Sequence, residues 1–421
     1  MKWKSGWIWG ASMMMWSMVT AYCAHAQETV PPAAAPAKPA SWSPVEAVGL
    51  AAPLKSWGLE IHGLLAGNWT WNFNEPQSGK NGLLLMNRRT NQMELDIANI
   101  RIQRVVDGEL GFVTDLDFGQ TAQVVGASTW WCANLSCSES HNSFEAVQAY
   151  LTYKFPIGNG LNMKAGKWVT LHGAEVIKTW DNINYNISNS ILFGFAIPFT
   201  HTGLLFNYPF ADWFSADAGF TTGWDDPDDN NNGMSFTGGL GVTPISTLTL
   251  YAAGTVGPEQ EDRGDSTRGL YTLLATYKPT DKWTFILDYN VARETNLLPP
   301  FALPPSPAKP TGRGTRTAKW DGVAGYVIYH FTDEISATLR AEVFNDSDGV
   351  RTGKAQTVWE LTPTLAYQFL PGLTFRAEYR HDESSRNFFE GVALSNPVPD
   401  GPTTRLFPGQ DTVTWEVLYS F

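Results

Sequence analysis

One long connecting segment, from Thr170 to about Thr200, carries charged side chains that could act on passing solutes. These side chains are His172, Glu175, Lys178 and Asp181. A segment folded between walls of opposite charge narrows a water-filled passage, and the transverse field orients polar solutes and sets ion preference. In the competing interpretation the segment lies over a mouth, with its apolar patch at residues 191–199 packed on the wall.

Strand-like stretches elsewhere place more charged side chains on one inward-phased face. The predicted wall residues are Arg101, Asp115, Asp117, Arg340, Glu342, Arg376, Glu378 and Arg380. The same phasing adds the acids Glu94, Asp96, Asp288 and Glu416 and the bases Lys154 and Lys164. Acids slightly outnumber bases, which predicts a mild preference for cations. Alternatively, Arg and Glu on neighbouring strands neutralise each other as cross-strand pairs.

An oxygen-rich stretch, residues 225–233, is a weak calcium candidate. Its ligands would be Asp225, Asp228, Asn230 and Asn232. The spacing imitates the start of an EF-hand loop, but Gly239 stands at the twelfth position, where a bidentate Glu is required. We therefore favour a solvated turn and predict no metal and no cofactor.

Cys132 and Cys137 remain after the N-terminal segment that we expect to be cleaved. In an exported protein, two cysteines five residues apart most simply form a small disulfide loop. A zinc site would need four ligands at different spacing. Catalysis has little support, because no G-x-S-x-G motif occurs and no histidine has a nucleophile at suggestive spacing. We predict that the chain is not an enzyme.

The elements that must position these residues are strands of about ten residues with period-two alternation. In the last stretch, Val413, Trp415 and Val417 alternate with Thr412, Thr414 and Glu416. Sixteen such stretches begin near residues 60, 91, 109, 143, 160, 201, 213, 234, 247, 268, 282, 320, 335, 357, 373 and 411. Seven short turns and eight long polar loops join them in strict alternation.

This alternation predicts an all-β fold, a transmembrane antiparallel up-and-down β-barrel of about sixteen strands. A β structure in lipid must close, because every backbone group needs an internal partner. Composition agrees with this prediction: 17% of the residues are charged, and no apolar run of helical span length follows residue 26. The net charge of −12 argues against nucleic acid as a partner.

Both ends of the chain indicate export to an outer membrane. Lys2 and Lys4 precede an apolar stretch that ends in Ala24-His25-Ala26, so residues 1–26 are predicted to be a signal peptide. Residues 27–56 are rich in Pro and Ala and predict an extended, mobile periplasmic lead-in, and residues 57–421 form the barrel. The final stretch ends on Phe421, which resembles the last-strand signal that barrel-assembly machinery recognises.

The central third of the chain resembles a known family. The residues are Phe193-Gly194, then Pro198, Phe199, Thr200, His201, Thr202 and Gly203, then Gly223-Trp224-Asp225 and an Asn-rich tail. This pattern is similar to the putative β-barrel porin-2, OmpL-like family of bacterial outer-membrane proteins. The resemblance implies a porin that passes small solutes passively, and it brings no catalytic residues. We expect His201 to be structural.

The sequence thus favours an outer-membrane porin in contact with lipid, through which small hydrophilic solutes or ions diffuse. Two alternatives stay open: an outer-membrane enzyme of the lipase type, and a plugged surface adhesin or structural barrel. Porins of this size are often homotrimers, and strand phasing alone does not reveal such an interface.

Overall fold

The computed structural model describes residues 43–106, 108–127, 143–297, 316–393 and 404–421. The predicted signal peptide, residues 27–42 of the lead-in, and both cysteines lie outside these ranges. Residues 43–56 are not extended as predicted, because they form the short helices α1 (Pro44–Ala47) and α2 (Ala51–Ser56). Helix α1 begins after Ser43, whose side chain accepts a hydrogen bond from the Val45 amide, and Pro44 is pre-organised for a first helical turn.

The described residues contain eighteen strands. Their bounds are β1 Glu60–Asn72, β2 Met93–Arg104, β3 Gly111–Phe118, β4 Phe144–Phe155, β5 Leu161–Val169, β6 Thr200–Ala211, β7 Phe214–Thr221, β8 Ser235–Ile245, β9 Leu248–Gly257, β10 Arg268–Thr280, β11 Trp283–Leu297, β12 Arg316–His330, β13 Ile335–Asp346, β14 Gln356–Leu370, β15 Leu373–Ser384, β16 Phe389–Ala393, β17 Thr404–Phe407 and β18 Gly409–Ser420. Two further helices lie in long loops: α3 (Gln120–Ala127) and a π-helix (Leu192–Ala196).

Sixteen strands, β1 to β15 and β18, form one closed antiparallel barrel. The predicted fold class is therefore confirmed, with the sixteen strands at the expected places; β12 begins at Arg316 rather than near residue 320. The last strand closes the barrel against the first, from Leu64 opposite Ser420 to Asn72 opposite Thr412. The two-stranded sheet of β16 and β17 lies in the last long loop and was not predicted.

The two faces of the barrel wall differ in chemistry, as strand β11 illustrates. Its Trp283, Phe285 and Leu287 are exposed, whereas Thr284 between them and Asp288 and Asn290 beyond them are buried. Since side chains alternate across a strand, the apolar face points outward and the polar face points inward. The outer face is therefore suited to lipid and the inner face to water or polar groups.

Aromatic side chains concentrate at the end of the barrel that carries the short turns. Trp283 packs on Tyr329 with ring centroids 4.5 Å apart, and Tyr208 packs on Phe210 at 4.8 Å. Such girdles mark the membrane interfaces of outer-membrane barrels, whose short turns face the periplasm. We accordingly call this end periplasmic and the long-loop end external. No described helix is long and apolar enough to span a membrane.

Candidate functional site: a loop held inside the barrel

The connection between β5 and β6, residues 170–199, is named the inner loop here because it lies within the barrel. It starts and ends at the external rim, and most of its residues are buried. Its polar contacts reach the inner faces of β2, β9 to β13, β15 and β18. A segment anchored on β5 and β6 can contact those distant strands only by crossing the interior.

The descending half of the inner loop is fixed by His172 and Glu175, which face the wall. The two ring nitrogens of His172 lie 2.7 Å from Thr272 Oγ1 and 2.8 Å from Thr255 Oγ1. Burial lowers the pKa of His172 to about 3, so the ring is neutral at neutral pH. Glu175 accepts hydrogen bonds from Arg340 Nη1 and from the Tyr326 hydroxyl, each at 2.9 Å. Both predicted residues are therefore hydrogen-bonded within the packed interior.

Lys178 binds two carboxylates that belong to different strands. Its Nζ donates to Asp96 Oδ2 of β2 at 2.7 Å and to Glu416 Oε1 of β18 at 2.8 Å. The lysine side chain is only 4% exposed, and both carboxylates are fully buried. The nearby carboxylates raise the pKa of Lys178 against the effect of burial, so the amine stays charged.

The tip of the inner loop reaches toward the periplasmic end. Trp180 stacks on His62 with centroids 3.7 Å apart and an angle of 11° between the rings. Asp181 pairs with Arg101 at 3.3 Å and stays 41% exposed. His62 and Arg101 are paired neighbours near the periplasmic ends of β1 and β2. Of the four predicted loop residues, Asp181 is thus the accessible one.

The ascending half runs along β15 and β13. Arg376 and Arg380 donate to the carbonyl oxygens of Asn184 and Asn189 at 2.6 and 2.7 Å. Glu378, which lies between these arginines on β15, accepts the amides of Ile187 and Ser188 at 2.6 and 2.9 Å. The wall therefore supplies alternating donors and acceptors to a backbone that has no ladder partner of its own.

The π-helix completes the ascent near the external rim. Glu342 accepts hydrogen bonds from the amides of Ile191 and Leu192 at its start. At its end, Trp320 Nε1 donates to the carbonyl oxygen of Ala196 at 3.0 Å. The apolar patch at residues 191–199 packs on the wall as the competing interpretation expected, but on the inner side of the barrel.

Cross-strand ion pairs occupy the wall charges. Arg101 binds Asp115 at 2.8 Å, Arg340 binds Glu360 at 2.7 Å, and Arg376 pairs with Glu416. Asp117 accepts a hydrogen bond from Asn99 at 2.6 Å. The predicted wall residues therefore all face inward, and the inward acids that favoured cations are buried except Glu94, which is half-buried. A count of inward charges thus does not describe the charges that solvent reaches.

A second layer of packing, absent from the sequence interpretation, lies in the external half of the interior. The loop between β1 and β2 contributes Leu83 and Met86, helix α3 contributes Val124 and Val125, and the inner loop contributes Leu171 and Ile177. They join one apolar cluster with wall residues Val147, Trp168, Leu205, Leu270, Phe344 and Val358. Only the short apolar runs in otherwise polar loops, Leu83 to Met86 and Val124-Val125, could have signalled this layer.

The motif at residues 198–203 fastens the return of the inner loop to β6. Asp225 Oδ1 accepts the amides of Phe199 and Thr200 at 2.6 and 2.8 Å. The ring of His201 lies 3.1 Å from Thr170 Oγ1 and 3.2 Å from the Gly223 carbonyl oxygen, so it links three segments. A Cβ at Gly203 would lie 2.0 Å from the Phe220 carbonyl oxygen, which explains the glycine. Pro198 and Thr202 flank these contacts.

The calcium candidate is corrected by these contacts. Asp225 is directed toward β6, and Asn230 hydrogen-bonds to Asp226 rather than sharing a centre with Asp228 or Asn232. Within the described ranges, no group of three or more His, Cys, Asp and Glu side chains could hold a metal ion. The stretch is a turn stabilised by its own side chains, as in the Asx-type bonds of Asp229 and Asn231.

A stack of arginine and tryptophan side chains joins the external loops to the barrel. The guanidinium groups of Arg268 and Arg351 lie 4.7 and 5.2 Å from the ring centre of Trp224. Arg351 also covers Trp320 at 5.3 Å and donates to the Phe195 carbonyl oxygen. Sequence reasoning missed this cluster, because its members are far apart in the chain.

A sixteen-stranded antiparallel barrel with an apolar outer face, a charged inner face and an inner loop defines the architecture of outer-membrane porins. The family model described as "Putative beta-barrel porin-2, OmpL-like" matches residues 58–421. The chain belongs to this family, which confirms the resemblance found in its central motif. It is an outer-membrane porin.

Solved structures share the fold at low sequence identity. The outer-membrane channel DcaP of Acinetobacter baumannii is 13% identical over 86% of this chain and 97% of its own, with a TM-score of 0.52. An anion-selective porin from Comamonas acidovorans is 10% identical over 86% of this chain and 99% of its own, with a TM-score of 0.54. OmpT of Vibrio cholerae in its trimer form is 12% identical over 86% and 99%, with a TM-score of 0.52. A search of curated proteins gave no match.

Proposed function

We propose that this porin passes small hydrophilic solutes by diffusion through a lumen that the inner loop narrows. The observation that carries the proposal is the course of residues 170–199, which cross the interior and bind walls on both sides of it. A loop held by buried ion pairs keeps a fixed cross-section, which a size-selective passage requires. In this proposal Asp181 and Arg101 border the narrow part.

The passage in this proposal runs between the loop tip and the opposite wall of β3 to β7. Support comes from exposure at the periplasmic half of that wall, where Lys164 is exposed and Tyr150, Asn162 and Asn207 are partly exposed. At β13 to β15, by contrast, Thr338, Thr364 and Arg376 are buried. The loop therefore covers one side of the lower lumen and leaves the other accessible to water.

The proposal is tested by single-channel conductance of the refolded mature protein in planar bilayers. Trp180→Ala removes the largest side chain of the loop tip, so we expect larger conductance steps and passage of larger neutral polymers. Trp213→Ala, the same substitution in the short turn between β6 and β7, is the matched control and keeps the wild-type conductance. Equal conductance of all three proteins would contradict narrowing by the loop tip.

A plugged surface barrel is the second candidate, and the external apolar cluster favours it. That cluster joins three external connections to walls on opposite sides of the barrel. A plugged barrel predicts a folded protein that inserts into bilayers and stays electrically silent. Stable current steps from the wild type would rule out this candidate.

We also propose that the barrel catalyses no reaction, in contrast to the lipase alternative. His172 and His201 each lie near a threonine hydroxyl, the arrangement of a base and a nucleophile. Both histidines are buried, at 1% and 0% exposure, so a lipid substrate does not reach them. Hydrolysis of ester substrates by the folded protein would refute this proposal.

Export, assembly and oligomeric state complete the proposal. We expect cleavage after Ala26, so the N-terminal sequence of outer-membrane material begins at Gln27. We expect Cys132 and Cys137 to form a disulfide, so that reduction adds two hydrogen masses. Recognition of β18 by the assembly machinery predicts that deletion of Phe421 lowers the amount of folded barrel in the membrane. A homotrimer is proposed by analogy with the trimer form of OmpT from Vibrio cholerae, and native mass measurement in detergent tests it.

A further inference from the structure

Few of the inward charges of the barrel are accessible to solvent, and one of these is the acid Asp181 of the loop tip, which pairs with Arg101. The inward acids Asp96, Asp115, Asp117, Asp288, Glu342, Glu378 and Glu416 are all buried. The arginines of β13 and β15 are buried with them, because loop carbonyl oxygens and neighbouring carboxylates cover them. These side chains are bonded to one another, to polar side chains or to backbone groups of the inner loop, and solvent does not reach them.

Lys164 of β5 is different, because it faces the lower lumen and is exposed. Its inward direction follows from the register, which places it opposite Thr152 and Leu205, and Leu205 is buried in the interior. Its ammonium lies 5.2 Å from the centre of the Tyr150 ring. Within the described residues it forms no salt bridge, whereas Lys167 three positions later pairs with Glu145 at 2.5 Å.

Lys164 acts electrostatically on one acid of this wall, Asp217, whose oxygens are hydrogen-bonded to neutral groups. Asp217 accepts hydrogen bonds from Asn207 Nδ2 at 2.9 Å and from the Tyr251 hydroxyl at 2.8 Å. The level just below Lys164 carries the amides of Asn162 and Asn207, which lie opposite each other in the register. The accessible wall thus presents one exposed cation that forms no salt bridge, beside amide and hydroxyl groups that can also bind an oxyanion.

We propose that Lys164 is a selectivity-determining residue that attracts small anions into the lower lumen, so that the porin prefers anions. The preferred solutes are small molecules that carry carboxylate or similar anionic groups. The inference rests on the proposed open passage between the inner loop and the wall of β3 to β7. It replaces the cation preference that the count of inward charges predicted.

The experiment is the reversal potential of the full-length mature porin in a planar bilayer under a potassium chloride gradient. We expect the wild type to favour chloride. Lys164→Gln should lower the chloride-to-potassium permeability ratio about sevenfold, because a unit charge at about 7 Å in water raises the local concentration of chloride and lowers that of potassium by about threefold each. Lys164→Arg should retain the wild-type ratio. Lys282→Gln, an exposed lysine in the turn between β10 and β11, is the matched control and should also retain it.

Citrate supplies a second readout with an organic anion. Added to the bath, it should compete with chloride current in the wild type and less so in Lys164→Gln. A cation-selective wild type, or a chloride-to-potassium permeability ratio unchanged by Lys164→Gln, would overturn the role of Lys164. Current steps in that same experiment would still support a porin with an open passage. Absence of current steps from folded protein would instead overturn the open passage itself.

Discussion

Replacement of Lys178 by methionine tests whether buried charge holds the inner loop in place. The substitution keeps most of the unbranched apolar part of the side chain and removes the ammonium that bridges Asp96 and Glu416 at 2.7 and 2.8 Å. Glu416 keeps its pair with Arg376. Among the described residues, Asp96 keeps the Thr121 hydroxyl, at 3.1 Å, as its side-chain hydrogen-bond donor. The substitution therefore leaves the buried Asp96 carboxylate, in particular, without its cationic partner.

The cost of an orphaned buried carboxylate sets the size of the effect. Breaking a buried ion pair by removing one partner costs about 3 to 5 kcal/mol. Release of the loop tip lets water reach Asp96 without breaking the strand ladder, so we expect local opening rather than unfolding. A cost of about 3 kcal/mol raises the population of the opened tip at least about a hundredfold.

The assay is single-channel recording at constant voltage. Lys178→Met should show frequent excursions to larger conductance, which correspond to the opened tip. The double variant Asp96→Asn with Lys178→Met removes the orphaned charge and should return the trace toward the wild type. Lys282→Met, an exposed lysine in a short turn, is the control. A folded Lys178→Met porin with wild-type conductance and noise would refute the reasoning.

Three further predictions concern the external loops and the central motif. Burial raises the pKa of Asp225 to about 7 and contributes most to raising that of Asp226 to about 6, so the folded loop holds protons that the unfolded chain releases. Protection of residues 222–234 from amide exchange, corrected for intrinsic rates, should therefore fall as pH rises from about 4 to about 7, and equal protection would contradict this. Gly203→Ala should lower the free energy of unfolding by about 1 to 3 kcal/mol, because the added Cβ clashes with Phe220. The loss is measured as a lower temperature for the heat-dependent shift in gel mobility, and an unchanged temperature would disprove the close approach. Arg351→Ala removes cation–π contacts with Trp224 and Trp320, so it should lower the free energy of unfolding by about 1 to 2 kcal/mol. It should also alter the tryptophan fluorescence, and an unchanged emission spectrum would argue against the stack.

The strands could be predicted because their signals are local. Alternation along β11 or β18 is visible within one segment, and turn residues such as Pro371-Gly372 mark the next reversal. The same reasoning missed helix α3 and the sheet of β16 and β17, since both lie in long loops without a sustained period. The two short helices before β1 were missed because Pro and Ala dominate the lead-in composition.

The inner-loop contacts show where sequence reasoning about the site ends. Phasing placed Arg340, Glu342 and Arg376 inward correctly, because direction depends only on the strand that carries them. Their partners depend on which loop enters the barrel and how deep it goes. Lys178, for example, meets carboxylates 82 residues before it and 238 residues after it in the chain. No spacing rule connects such positions. The accessibility of the inward charges, on which the proposed ion preference rests, therefore had to come from the structure.

The position of Glu416 on the last strand ties the seating of the inner loop to the order of assembly. Lys178 meets Asp96 as soon as β2 is in place, but its second carboxylate arrives only when β18 closes on β1. The final seating of the loop tip therefore coincides with the step that removes both open edges of the sheet. An unfinished barrel retains a poorly satisfied lysine together with exposed strand edges, and both defects disappear at the same moment. Completion of the barrel wall thus also fixes the width of the lumen that the inner loop narrows.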